Sequence, residues 1–107
     1  MTTVKIERNA KGRCIGYNII GHVDEPILCS AISAITQTAA ISLSEVLNHK
    51  IKIHSADGFL KVTFIQFPTK NSELVIDCVL AGLRTIEKQY QGVLYIVDKR
   101  KSEEDVE

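Results

Sequence analysis

Apolar and polar residues alternate from Val4 to Glu7, the period of a strand with one buried face. Asn9-Ala10-Lys11-Gly12 supplies turn residues, and Ile15, Tyr17 and Ile19 then place a second apolar set at the same period. The two runs predict a hairpin whose second strand ends at Gly21-His22. The period changes after that. Leu28, Ala31, Ile32, Ile35, Ala39, Leu43 and Val46 fall on one helical stripe, which predicts a long helix from about Pro26 to Asn48. Cys29, Ser33, Thr36 and Ala40 form a second stripe of small residues on its flank, fit for tight packing on the sheet or for close approach of a peptide. Ile41 points away from both stripes and hints at a partner surface.

Alternation returns with Ile51 and Ile53 set among Lys50, Lys52 and His54, then with Leu60, Val62 and Phe64 across the tight turn Ala56-Asp57-Gly58. Pro68 ends the fourth strand. Asn71 or Ser72 can cap a second helix running to about Gln91, its inward positions being Val75, Val79, Leu83, Ile86 and Tyr90, with Cys78 beside them as a core or near-core thiol. Gly92 suits its C-terminal stop. Val93 to Val97 is apolar without alternation, which predicts a strand near the middle of the sheet. The order is ββαββαβ, a single α+β domain with a mixed β-sheet packed with two helices over residues 1–98. Residues 99–107 form a charged tail, expected to be mobile.

Composition narrows the function. Thirteen basic and thirteen acidic residues balance, so the chain lacks the general charge that grips nucleic acid or an anionic membrane, and no direct nucleic-acid binding is expected. No apolar run approaches a bilayer crossing and no signal-peptide core opens the chain, so the expectation is a cytoplasmic protein that leaves membranes alone. Cys14, Cys29 and Cys78 form neither a disulfide framework nor a metal pattern. His49 and His54 read as surface residues, and no metal or cofactor is implied.

The chemistry gathers at the junction of strand and helix. Pro26 suits the first helical position, and Asp24 or Glu25 can cap it. Cys29 then falls in the opening turn, among unpaired N–H groups that favour a thiolate. A nearby imidazole, His22, can take its proton.

Gly21-His22 followed by Cys29-Ser30-Ala31-Ile32-Ser33-Ala34-Ile35-Thr36-Gln37-Thr38 resembles the ribosomal-processing cysteine protease family, also called Prp or YsxB-like. Ile86-Glu87-Lys88-Gln89-Tyr90 with the short aliphatic strand after it resembles the family's ending. The resemblance implies a cytoplasmic homodimer that removes a short N-terminal extension from a large-subunit ribosomal protein, cutting the precursor after an aromatic residue. It implies Cys29 as nucleophile and His22 as general base. Ser33 matches a family serine at the site, and it either hydrogen-bonds imidazole or substrate or is a small packing residue. The chain departs from the family pattern between histidine and cysteine. Only six residues intervene, none is glycine, and Pro26 stands where the family has an aspartate. Asp24 is the candidate replacement for orienting the histidine. A second reading follows from the altered loop: a catalytically weak or inactive dimeric relative that binds at the ribosome.

Overall fold

The computed structural model describes residues 1–99, so the tail from 100 onward, including its basic pair Arg100-Lys101, lies outside the described residues. The predicted order is present: β1 (Thr2–Arg8), β2 (Cys14–Ile20), α1 (Pro26–Ile41), β3 (Ile51–Ala56), β4 (Phe59–Phe64), α2 (Lys70–Gln89) and β5 (Leu94–Asp98). One mixed sheet runs β3-β4-β2-β1-β5. All its pairings are antiparallel except β1 with β5, which α2 connects as a crossover.

Val4, Ile6, Tyr17 and Ile19 face both helices, meeting Thr36 of α1 and Ile76, Leu80 and Leu83 of α2. Both helices therefore lie on one side of the sheet. The Tyr17 hydroxyl donates to the Thr36 carbonyl at 2.9 Å, which satisfies the one polar group that this aromatic carries into the core.

Several expectations are corrected. Ile15 does not share a face with Tyr17 and Ile19. The β1–β2 register passes from Glu7↔Gly16 to Arg8↔Cys14, so Ile15 is the extra residue of a bulge. The bulge turns Cys14 into the core and Ile15 outward. β5 is an edge strand, not a central one, and Tyr95 stays 55% exposed. An apolar run without alternation says that a strand is apolar, not that neighbours flank it on both sides. β3 forms the other edge, and Ile53 overhangs the helices 52% exposed.

The α-helix α1 ends at Ile41 and continues as a π-helical turn, Ser42–Val46, with Leu47 N–H bonded to the Ser42 carbonyl. The extra residue per turn rolls Val46 into solvent while Leu43 stays buried. Together the two segments make a 21-residue helix of mean hydropathy 1.5, long and apolar enough by length and composition alone to cross a membrane. Small and hydroxylated residues interrupt its apolar run, which is why the sequence shows no stretch resembling a bilayer crossing. Ile32, Thr36, Ala39, Ala40 and Leu43 of this helix are buried in the domain core.

Thr69, rather than Asn71 or Ser72, caps α2. Its hydroxyl accepts from Ser72 N–H at 3.0 Å and the Ser72 hydroxyl accepts from Thr69 N–H at 2.8 Å, a reciprocal capping box. The buried stripe is Ser72, Ile76, Leu80 and Leu83, one position round from the expected one. Tyr90 is exposed, as is Cys78, so Cys78 is not a core thiol. His49 is buried rather than on the surface. Its ring packs edge-on against Phe64 at 4.7 Å, and burial holds its pKa below the ordinary value.

Burial pushes the Cys14 thiol from its ordinary 9.0 up to about 11. The same cause raises the Tyr17 hydroxyl. Groups whose pKa is raised on folding stabilise the fold fully below their unfolded pKa, and that contribution is lost as pH rises through the folded one. Stability should therefore fall between pH 9 and about 11, by roughly 2–3 kcal/mol from Cys14 alone. Urea unfolding of the parent and of Cys14→Ala across that range checks this, with the variant expected to show the shallower decline.

Candidate active site

The site begins with where β2 ends. The β2–β4 register closes on Ile20↔Phe59, so the β3–β4 turn lies beside Gly21 and His22. Gly21 N–H donates to the Gly58 carbonyl at 2.9 Å, tying the strand end to the turn. Gly21 has φ +98°, and a Cβ there would stand 2.4 Å from the Met1 carbonyl oxygen, so only glycine lets β1 begin alongside. The Met1 ammonium donates to the His22 carbonyl at 2.9 Å.

His22 and Cys29 open onto one cleft of about 300 Å³ between the end of the sheet and the first turns of α1. Ser33, one turn beyond Cys29, lines it too, with Thr36 and Gln37 further along the helix. Ile19, Ile32, Phe59 and Leu60 supply an apolar wall. Thr2, Ser55, Ala56 and Gly58 complete the rim. His22 is more than half exposed and Cys29 half-buried, so solvent and a peptide reach both. The chemistry available to such a pair is proton transfer from thiol to imidazole and attack of the thiolate on a carbonyl carbon. Among the described residues no cluster of side chains could hold a metal ion.

Asp24 does not join this group. It is exposed and forms no part of the cleft lining. The carboxylate that approaches His22 comes from elsewhere: Asp57 Oδ1, on the β3–β4 turn, stands 3.5 Å from His22 Nε2. Sequence reasoning read Asp57 only as a turn residue. Its place depends on β4 pairing with β2, which no local signal reveals.

The opening turn of α1 also differs from expectation. Glu25 is the N-cap, and its carboxylate accepts from Ile27 N–H at 3.2 Å and Leu28 N–H at 2.8 Å. Cys29 N–H donates to the Glu25 carbonyl at 3.0 Å. Cys29 is thus not among unpaired N–H groups, and the free donors of that turn, on Ile27 and Leu28, already hold a carboxylate. Glu25→Ala is expected to cost about 1 kcal/mol of stability as a cap. It is also expected to quicken Cys29 alkylation by iodoacetamide roughly two- to fivefold, since it frees the positive helix end for the thiolate. Urea unfolding and timed mass spectrometry check the two effects.

Comparison with known proteins places the family and the fold. The family model described as cysteine protease Prp matches residues 1–95. The chain belongs to the cysteine protease Prp family. The essential ribosomal processing protease Prp from Staphylococcus aureus shares the fold. Its complex with a covalently linked product peptide superposes with a TM-score of 0.83 at 22% identity, covering 91% of this chain and 98% of that one. Its complex with a substrate peptide gives 0.81 at 21% identity, covering 90% and 97%. A protein from Streptococcus mutans gives 0.76 at 16% identity, covering 91% and 96%. A comparison with curated protein sequences finds no match. Prp membership makes the chain a member of a hydrolase family of cysteine proteases, with the single α+β domain and mixed sheet described above.

Proposed function

We propose that the chain is a cysteine endopeptidase that removes a short N-terminal extension from a large-subunit ribosomal protein, with Cys29 as nucleophile and His22 as general base. The observation that carries this is the shared cleft: a half-buried thiol and an exposed imidazole both line it beside an apolar wall. Family membership and the peptide complexes of the S. aureus protease support it. Ile19, Ile32, Phe59 and Leu60 suit an apolar side chain on the substrate.

The Cys29 thiol gives its proton to His22, and the thiolate adds to the scissile carbonyl carbon, forming a C–S bond and an oxyanion. The C–N bond breaks as the imidazolium returns the proton to the leaving amine, which leaves a thioester. Water, deprotonated by His22, then breaks the thioester and restores the thiol. Ser33 lies on the cleft wall to hydrogen-bond the imidazole or the substrate. The chain acts in the cytoplasm as a homodimer. Exposed Ile41 and the open apolar groove between α1 and α2, lined by Ile35, Leu74 and Val79, are surfaces that a second copy would cover.

The test is incubation with a peptide spanning the junction of such an extension and the mature ribosomal protein. A single cut after an aromatic residue, with a transient thioester on Cys29 caught by mass spectrometry, is the expected result. An intact peptide at high protein concentration would overturn it. The Glu25 carboxylate at the helix end favours a second reading, a dimeric relative of weak or no activity that binds at the ribosome. That reading expects Cys29 to react with iodoacetamide no faster than a free thiol of pKa about 8.5.

A further inference from the structure

The reading above leaves the His22 ring without an orienting acid from the His22–Cys29 stretch. Asp24 is outside the cleft lining, and the Glu25 carboxylate is held by Ile27 and Leu28 N–H. We propose that Asp57, on the β3–β4 turn, is the positioning carboxylate of His22, and that the Asp57-Gly58 turn is the seat on which the ring rests. This rests on His22 and Cys29 being the working pair.

Three observations converge on that turn. Asp57 Oδ1 lies 3.5 Å from His22 Nε2. The ring sits directly over Gly58: a Cβ at that residue would stand 2.7 Å from Nε2 and 3.1 Å from Cδ2. Gly58 has φ +69°, so the turn needs glycine both for its backbone and for the space under the imidazole. The Gly21 N–H bond to the Gly58 carbonyl, 2.9 Å, fixes the strand end that carries His22 to the same turn. Carboxylate, ring and backbone thus form one unit built by the pairing of β2 with β4.

The geometry also assigns the two ring nitrogens. With Nε2 turned to Asp57, a carboxylate there favours the tautomer that carries its hydrogen on Nε2, which leaves Nδ1 as the nitrogen free to accept a proton. The resulting imidazolium donates from Nε2 to the Asp57 carboxylate, which stabilises the charged pair. The charged and titratable groups around the ring are Asp57 on the turn, Cys29 on α1, and the Met1 ammonium at the His22 carbonyl. Asp57 is fully exposed in the free protein, so water screens the contact there. A peptide lying in the cleft covers it and strengthens it.

Asp57→Asn keeps the turn, because Asn-Gly suits it as well as Asp-Gly. The parent, Asp57→Asn, Asp57→Glu and His22→Ala are compared by the pH profile of Cys29 alkylation with iodoacetamide and of peptide cleavage. For Asp57→Asn the expected result is alkylation at pH 7 slowed only about two- to threefold, since water screens the contact in the free protein, while with peptide covering the contact kcat falls about tenfold with KM unchanged and the basic limb of the cleavage profile moves to lower pH. Asp57→Glu should restore most of the rate. An Asp57→Asn profile matching the parent, while His22→Ala slows alkylation and stops cleavage, would overturn the role of Asp57 and leave the pair intact. A His22→Ala protein that alkylates and cleaves like the parent would overturn the pair itself, and Asp57 with it.

Discussion

Replacing Cys29 by alanine should lower peptide cleavage by at least about a thousandfold without weakening peptide binding. No other thiol can take over. Cys14 is buried under the bulge, with its sulfur on the Gly16 carbonyl at 3.4 Å and its pKa pushed up to about 11. Cys78 faces the groove between the helices, which shares no lining residue with the cleft. Alanine at residue 29 leaves the apolar wall and rim of the cleft in place for a peptide to contact. The effect therefore belongs in kcat and not in KM. Single-turnover cleavage measured beside peptide binding to the uncleaving variant separates the two. Equally rapid cleavage by parent and variant would remove Cys29 as nucleophile. A parent as slow as the variant would favour the binding-only reading.

The elements that set this pair together were mostly legible in the sequence. The Ile6-Glu7 alternation, the helical stripe through Ile32 and Leu43, and the turn at Asp57-Gly58 each declared a local period or a local backbone need. Period alone did not disclose order across the sheet. β5 reads as central because Val93 to Val97 lacks alternation, yet among the described residues it pairs only with β1. The site divides along the same line. His22, Cys29 and Ser33 lie within one strand end and one helix, so motif and helical spacing brought them together. Asp57 enters through the β2–β4 pairing, a contact between segments far apart in the chain, whereas Asp24 is a candidate only as a stand-in for the family aspartate that Pro26 replaces. The capping role of Glu25 was half legible. Either acid beside Pro26 could serve, and the backbone at residue 25, extended with φ −81° and ψ 116°, decided for Glu25.

The largest expected loss of stability lies at the opposite end of β1, where Arg8 is buried. Its side chain is 3% exposed and that of Asp98 4%. The guanidinium grips Asp98 through two bonds, Nε to Oδ1 at 2.6 Å and Nη2 to Oδ2 at 3.0 Å. Its third nitrogen donates to the Gly12 carbonyl at 3.1 Å and to Glu73 Oε2 at 3.4 Å. The other Glu73 oxygen accepts from Cys14 N–H at 2.6 Å. One arginine thus joins the end of β1, the hairpin turn, the first turn of α2 and the end of β5. Burial alone would lower its pKa, but the bond and charge of Asp98 outweigh this and hold it above the ordinary value. Arg8→Ala removes the cation that faces both carboxylates in that site, and loss of one partner of a buried pair costs about 3–5 kcal/mol. Total stability of a domain this size is of order 5–15 kcal/mol, so the variant should approach the unfolding threshold. The urea midpoint should fall with its slope unchanged. Arg8→Lys should fall between, because an ammonium cannot make the forked contact. Arg8→Met combined with Asp98→Leu should regain part of the loss, since paired apolar residues leave one fewer buried charge unmatched. Cleavage per folded molecule should match the parent in all of these, because none of the groups in this network lines the cleft.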